Sequence, residues 1–231
     1  MLRTRISSIL FLAVIITGCG SENKKETEAG KVTEPQAAAV RADAASATGR
    51  QNILFFGTSL TAGYGLSPEE AYPALIQKKI DSLNLNYKVI NGGLSGETSA
   101  AGKNRIDWLL KQPVDIFVLE LGANDGLRGL SVKETTANLQ AVIDKVKKKY
   151  PEAKLVMLGM QMPPNMGAAY TTGFRNMFST LANKNDMIYV PFLLEGVGGV
   201  SKLNQGDGIH PTAEGHKILA GNVWMKLQGA L

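Results

Sequence analysis

Thiols and imidazoles are nearly missing from this chain, which has one cysteine and two histidines in 231 residues. A single cysteine excludes an internal disulfide framework. With two histidines and no HExxH-like spacing, the ligand set for a metal is thin. Aromatic residues are sparse at 6%, and the formal net charge is only +5. Without basic residues interleaved with aromatics, that balance argues against a nucleic-acid partner. The Lys145–Lys149 run (KVKKK) reads as the solvated C-terminal end of a helix, where cations suit the dipole. A long apolar run is also missing near the N-terminus: Ile6 to Ile16 falls short of the about 20 residues that a membrane span needs.

What the N-terminal part does contain is a secretory pattern. Arg3 and Arg5 precede the apolar stretch, so residues 1–18 read as a signal peptide. The stretch runs into Ile16-Thr17-Gly18-Cys19, which resembles a bacterial lipobox, whose cysteine is lipidated and becomes the new N-terminus. The sole cysteine, Cys19, stands where that chemistry needs it; the plainer alternative is an ordinary signal with an incidental cysteine. Residues 19–50 are rich in Ala, Glu, Lys and Thr and almost free of large apolar groups, too few to offset their ordering entropy. They read as a disordered tether of roughly 30 Å r.m.s. reach. The expected location is the bacterial cell envelope, lipid-anchored to a bilayer on the periplasmic side.

Residues 51–231 are enough for one well-packed domain. Short apolar runs at Asn52–Phe56, Lys88–Ile90, Ile116–Leu121 and Leu155–Leu158 look like strands covered on both faces, with a weaker fifth at Met187–Val190. Helix-period segments lie between and after them, at Ala71–Leu83, Ala100–Leu110, Thr135–Tyr150, Phe174–Asn183 and Ala213–Leu227. Alternating strands and helices predict an α/β fold, a parallel sheet with helices on both faces and right-handed crossovers. Function in such sheets gathers at the carboxyl ends of the strands.

Those ends hold four stretches of interest. Gly57-Thr58-Ser59-Leu60 follows the first strand; Gly57 suits a tight strand exit, and Ser59 is a turn serine or a nucleophile. It is not the G-x-S-x-G elbow, because Thr61 stands at the second glycine position. "NGGLSGETS", Asn91 to Ser99, is a flexible loop or a source of unshielded backbone N–H groups, with Gly96 the best oxyanion donor. In "LGANDG", Asn124 is an oxyanion donor or, with Asp125, a helix cap. "DGIHP" places Asp207 three residues before His210, close enough to accept from its Nδ1–H and leave Nε2 as a base for a hydroxyl. His216, inside the last helix, reads as packing or surface.

The order of these blocks is more specific than any one of them. GTSLT, GLSGETS, GAND and DGIHP resemble the SGNH (GDSL) hydrolase family. The likeness is closest to its bacterial periplasmic acyl-thioesterase/lysophospholipase (arylesterase) branch, through "TAGYG", "AYPALI", "LELGANDGLRG" and "PFLLEGV". The resemblance implies a three-layer α/β/α sandwich, flavodoxin-like, with a five-stranded parallel sheet. It implies a serine esterase working through an acyl-enzyme, with Ser59 as nucleophile, His210 as base and Asp207 as its orienter. The Ser59 and Gly96 N–H groups and the Asn124 side chain would hold the oxyanion, and no metal or cofactor is needed. One letter departs: the family usually has Asp where this chain has Thr58, which puts loop rigidity and rate in question.

The expected substrate is an acyl ester (lysophospholipid, aryl or other carboxylic ester, with thioesters a further option). "QMPPNMGAAY", Gln161 to Tyr170, is expected to line an acyl groove, with Met160, Met162 and Met166 as adaptable walls; the plainer alternative is a surface connection with core methionines. Two rivals remain at this point, a carbohydrate or peptidoglycan O-acetyl esterase and a catalytically silent binding lipoprotein.

Overall fold

The structure, a computed structural model, describes residues 49–231. The signal peptide, Cys19 and nearly all of the tether lie outside the described residues. Five strands form one parallel sheet: β1 (Gln51–Gly57), β2 (Tyr87–Gly93), β3 (Ile116–Glu120), β4 (Lys154–Leu158) and β5 (Ile188–Val190). Their spatial order is β2-β1-β3-β4-β5 and every pairing is parallel. Among the described residues seven α-helices accompany them: α1 (Ser59–Ala62), α2 (Tyr72–Ser82), α3 (Ser99–Leu109), α4 (Ala123–Leu127), α5 (Val132–Lys149), α6 (Ala168–Lys184) and α7 (Ala213–Leu227). Helix α2 packs with α7, while α3, α5 and α6 pack in series, giving the three-layer α/β/α sandwich. Among the described residues no helix is long and apolar enough to cross a membrane.

Burial explains which strands read clearly in the sequence. Ile53–Phe56 of β1 and Ile116–Leu119 of β3 are buried on both faces, so their letters are apolar without alternation. Edge strand β2 is only partly covered and extends through Asn91, Gly92 and Gly93, which pair with Phe55, Phe56 and Gly57. The expected Gly-rich loop therefore begins later, at Leu94, whose N–H donates to the Gly57 carbonyl at 2.9 Å. Helix α6 starts at Ala168 rather than Phe174, because its first turn is exposed and lacks the apolar period. The last turn of α5 ends in Lys147, Lys148 and Lys149, as the dipole favours.

The order β2-β1-β3 reverses the direction in which strands are added to the sheet, β2 lying on one side of β1 and β3 on the other. Crossovers leave β1 and β3 toward opposite faces, which opens a crevice at their carboxyl ends. The turn after β1 and the turn after β3 therefore face each other.

Candidate active site

Ser59 is the first residue of α1, one position beyond Thr58 and two beyond the end of β1. The turn is fixed from beneath by Glu120, the last residue of β3, which is fully buried. Glu120 Oε2 accepts from the Thr58 N–H at 2.8 Å, the Thr61 N–H at 3.3 Å and the Thr61 hydroxyl at 2.8 Å. The Thr58 hydroxyl donates to the same carboxyl, 3.0 Å from Oε1. Thr61 Oγ1 also lies 2.8 Å from the Tyr72 hydroxyl. Gly57 is required here for space and not for an unusual φ: its φ is not positive, and a Cβ would fall 2.6 Å from Glu120 Oε2 and 2.7 Å from Glu120 O. Burial pushes the Glu120 carboxyl up to about 7, against the pull of its Thr58 and Thr61 donors.

His210 arrives from the other side, on the loop closed by a bridge between Asn204 and Pro211, shortly before the start of α7. Its Nε2 lies 2.9 Å from Ser59 Oγ, and its Nδ1 lies 2.6 Å from Asp207 Oδ2. Asp207 Oδ1 also accepts from the Ile209 and His210 N–H groups, each at 3.0 Å. These contacts, the His210 ring first, hold the Asp207 carboxyl down at about 2 despite its exposure. Gln205 ties the loop inward: its side chain donates to the Tyr64 carbonyl at 2.7 Å and the Pro211 carbonyl at 3.0 Å. The Tyr64 ring lies against His210, with centroids 4.5 Å apart. His216 is elsewhere, buried in α7, where Nδ1 accepts from the Tyr72 N–H at 3.0 Å. Burial pushes it down to about 4, which keeps it a neutral packing residue at ordinary pH.

Gly96 and Asn124 complete the crevice. Gly96 has φ +78°, and among the described residues neither its N–H nor that of Ser59 meets an acceptor. Asn124 lies in α4 and donates one amide hydrogen to the Glu97 carbonyl at 3.0 Å, which leaves the other free. Its neighbour Asp125 points away, accepting from the Ser99 N–H at 2.8 Å and from the Ser99 hydroxyl at 2.5 Å. The loop carrying Gly96 is braced by buried Glu97, whose two oxygens accept from Arg105 Nε at 2.6 Å and a terminal Arg105 nitrogen at 2.5 Å.

Ser59, Gly96, Asn124 and His210 all border one cavity of about 590 Å³. Its apolar wall includes Leu60, Leu127, Met160, Met162, Phe192 and Ile209. Gln161, Pro163 and Pro164 line it as well, so the segment after β4 does reach the cavity. Met166 is not among the lining residues and instead packs partly buried against the core.

The sequence reading missed Glu120, Gln205, Tyr64 and Arg105. Glu120 left a usable signal: a charged letter inside IFVLEL, a run otherwise suited to burial on both faces. The others are polar or aromatic letters in ordinary surroundings, and their partners lie far away in sequence.

A model of the GDSL-like lipase/acylhydrolase family matches residues 55–218. Esterase TesA of Pseudomonas aeruginosa (strain PAO1) is 38% identical over 182 residues, spanning 78% of this chain and 90% of that protein. Thioesterase 1/protease 1/lysophospholipase L1 of Escherichia coli (strain K12) is 36% identical over 183 residues, 79% of this chain and 85% of that one. A crystal structure of TesA superposes with a TM-score of 0.75 at 38% identity, covering 78% of this chain and 100% of its own.

Proposed function

The chain belongs to the GDSL-like lipase/acylhydrolase family and is a carboxylic ester hydrolase; on that premise we propose that Ser59, His210 and Asp207 carry its chemistry. The observation that supports this most directly is the unbroken relay Asp207 Oδ2 to His210 Nδ1 at 2.6 Å and His210 Nε2 to Ser59 Oγ at 2.9 Å. His210 Nε2 takes the Ser59 proton as Oγ attacks the ester carbonyl carbon. Negative charge then moves to the carbonyl oxygen, for which the Ser59 N–H, the Gly96 N–H and the free Asn124 amide hydrogen, all on residues bordering the cavity, are the donors in this reading. Collapse breaks the bond to the alcohol, which leaves with the proton from His210. Water attacks the acyl-enzyme in the same way, and the carboxylic acid departs. Asp207, ionised at all ordinary pH values, holds His210 in the tautomer that keeps Nε2 free to accept.

The apolar cavity favours an ester with an extended acyl chain, of the lysophospholipid or aryl kind, because a bare acetyl group would leave most of that wall in contact with water. The experiment is an ester panel from p-nitrophenyl acetate to octanoate on residues 51–231, with Ser59→Ala alongside. The longer ester should have the higher kcat/KM, and Ser59→Ala should lose about 10⁶-fold in kcat while remaining folded. Preference for acetate would replace this substrate reading with an O-acetyl esterase, and an active Ser59→Ala would remove the mechanism.

Placement in the envelope rests on the sequence before residue 49. The positive start, the apolar stretch and the lipobox-like Ile16–Cys19 support a lipid-anchored enzyme facing the periplasm. Cys19→Ala should shift the activity from the membrane to the soluble fraction; activity that stays with the membrane removes the anchor assignment.

A further inference from the structure

Glu120 is a buried carboxyl that the mechanism above leaves without a task. It is 0% exposed, and none of its recorded hydrogen-bond partners is a cation. Such a group is costly to keep in an interior unless its position matters, since a buried carboxyl without a counter-charge is among the least favoured arrangements. Every partner it has lies in the turn that presents Ser59. Thr58 precedes the serine and gives both its N–H and its hydroxyl; Thr61 follows two residues later and gives the same two groups. Both threonines are essentially buried, so water cannot substitute for the carboxyl. The glycine at position 57 clears the space for this approach.

We propose that Glu120 is the positioning residue of the nucleophile: its carboxyl locks the Thr58–Thr61 turn and thereby aims Ser59 Oγ at His210 Nε2. This rests on the reading of Ser59 as nucleophile. The geometry makes the function of Thr58 concrete. The SGNH family usually has an aspartate at this position; here the threonine is a donor to the β3 carboxyl, its hydroxyl 3.0 Å from Glu120 Oε1. The lock is made of hydrogen bonds and not of charge, so an acceptor of the same shape should sustain it. A glutamine can place its carbonyl oxygen where Oε2 accepts from the two N–H groups, and its amide can donate to the Thr58 hydroxyl oxygen.

Groups that face Glu120 from the elements packed on it are few. The Tyr72 hydroxyl from α2 reaches it through Thr61, and burial first, then the Glu120 charge, holds that phenol well above its ordinary value. His216 from α7 lies against the far side of Tyr72 and is held neutral by burial. The hydroxyl and imidazole are therefore both uncharged near neutrality, and His210 meets the turn only through Ser59.

The test compares Glu120→Ala, Glu120→Gln and Thr61→Val on residues 51–231, measuring kcat and KM with p-nitrophenyl octanoate and the rate of labelling by a fluorophosphonate probe. Glu120→Ala should lower kcat and the labelling rate about 100-fold with KM nearly unchanged, the scale of an ångström-sized misplacement of a reacting group. Glu120→Gln should stay within a factor of about three of the parent, because the amide both accepts and donates. Thr61→Val keeps shape but removes one donor, and should show a smaller loss in the same quantity. It also reads the lock if Glu120→Ala does not fold. Parent kcat in folded Glu120→Ala, or in Thr61→Val where that alanine variant fails to fold, overturns the proposal. So does a loss that lies in KM, or a glutamine variant as damaged as the alanine one. An active Ser59→Ala would instead remove the nucleophile assignment on which the proposal stands, and the two failures are thus distinct.

Discussion

The two sides of the crevice are built in opposite ways. On one side Ser59 sits above strand ends where Thr58, Thr61 and Glu120 are buried and bonded to one another. On the other, His210 rides an exposed loop in which Asp207, Gly208 and Ile209 face solvent. Each side uses one carboxyl, and the two are displaced in opposite directions: burial takes Glu120 up to about 7, while His210 and two backbone N–H groups bring Asp207 down to about 2. The difference teaches that burial sets ionisation on one side and hydrogen-bond partners set it on the other. A carboxyl facing water with an imidazole and N–H partners stays charged, as orienting an imidazolium demands. A carboxyl with neutral hydroxyl and amide partners in the interior holds its proton near neutrality, as a purely geometric role permits.

Breaking the exposed side should have the largest effect. His210→Ala removes the proton acceptor and should lower kcat by about 10⁶-fold, as loss of the base does in serine hydrolases generally. Asp207→Ala leaves the base but frees its tautomer and orientation, so a loss of about 10⁴-fold is expected, with more activity surviving than in His210→Ala. Steady-state kinetics on p-nitrophenyl octanoate read both. Equal losses would mean that Asp207 does more than orient.

The buried side should show itself in stability against pH. Glu120 rises from its ordinary 4.5 to about 7 in the folded chain. Between those values the folded protein holds a proton that the unfolded chain has released. Stability from this group therefore falls as pH rises from about 4.5 to 7 and levels off above, by roughly 3 kcal/mol in all. His216 opposes it: its folded value lies near 4, below the ordinary 6.5, so its contribution grows as pH rises through the same window. The informative quantity is thus the difference between parent and Glu120→Gln. Calorimetric stability of the glutamine variant should improve relative to the parent from pH 5 to pH 8; a constant difference would place the Glu120 value near that of an ordinary carboxyl.

The same contrast sets what could be read from the letters alone. Strands β1, β3 and β4 were legible because burial on both faces writes an uninterrupted apolar run. Helices α1 and α4 were not, being 4 and 5 residues long, too short for any period to repeat. Ser59, Gly96, Asn124, Asp207 and His210 were legible as types at strand ends, and the fold brings all five to one cavity or its edge. Glu120 was passed over because its use depends on Thr58 and Thr61, about 60 residues away along the chain and adjacent only once β1 pairs with β3. Met166 was wrongly placed on the wall because a run of methionines after a strand does not say which of them turns inward.

Gln205 offers the smallest and finest test of the contrast, since it is where the exposed side borrows support from the buried one. Its amide donates to the Tyr64 carbonyl just beyond α1 and to the Pro211 carbonyl beside His210, so one side chain spans both halves. The Gly65 backbone passes so close that a Cβ there would fall 3.1 Å from the Gln205 amide carbon. Gln205→Ala removes two hydrogen bonds worth about 1 kcal/mol each, so the melting temperature should drop by only a few degrees. The kinetic effect should exceed what that drop implies: with the loop freer, His210 spends less time within reach of Ser59, and kcat should fall by up to about ten-fold at constant KM. Thermal melts and kinetics on the same preparation separate the two. A melt shifted without a change in kcat would show that Asp207 and the loop's own turn hold His210 unaided.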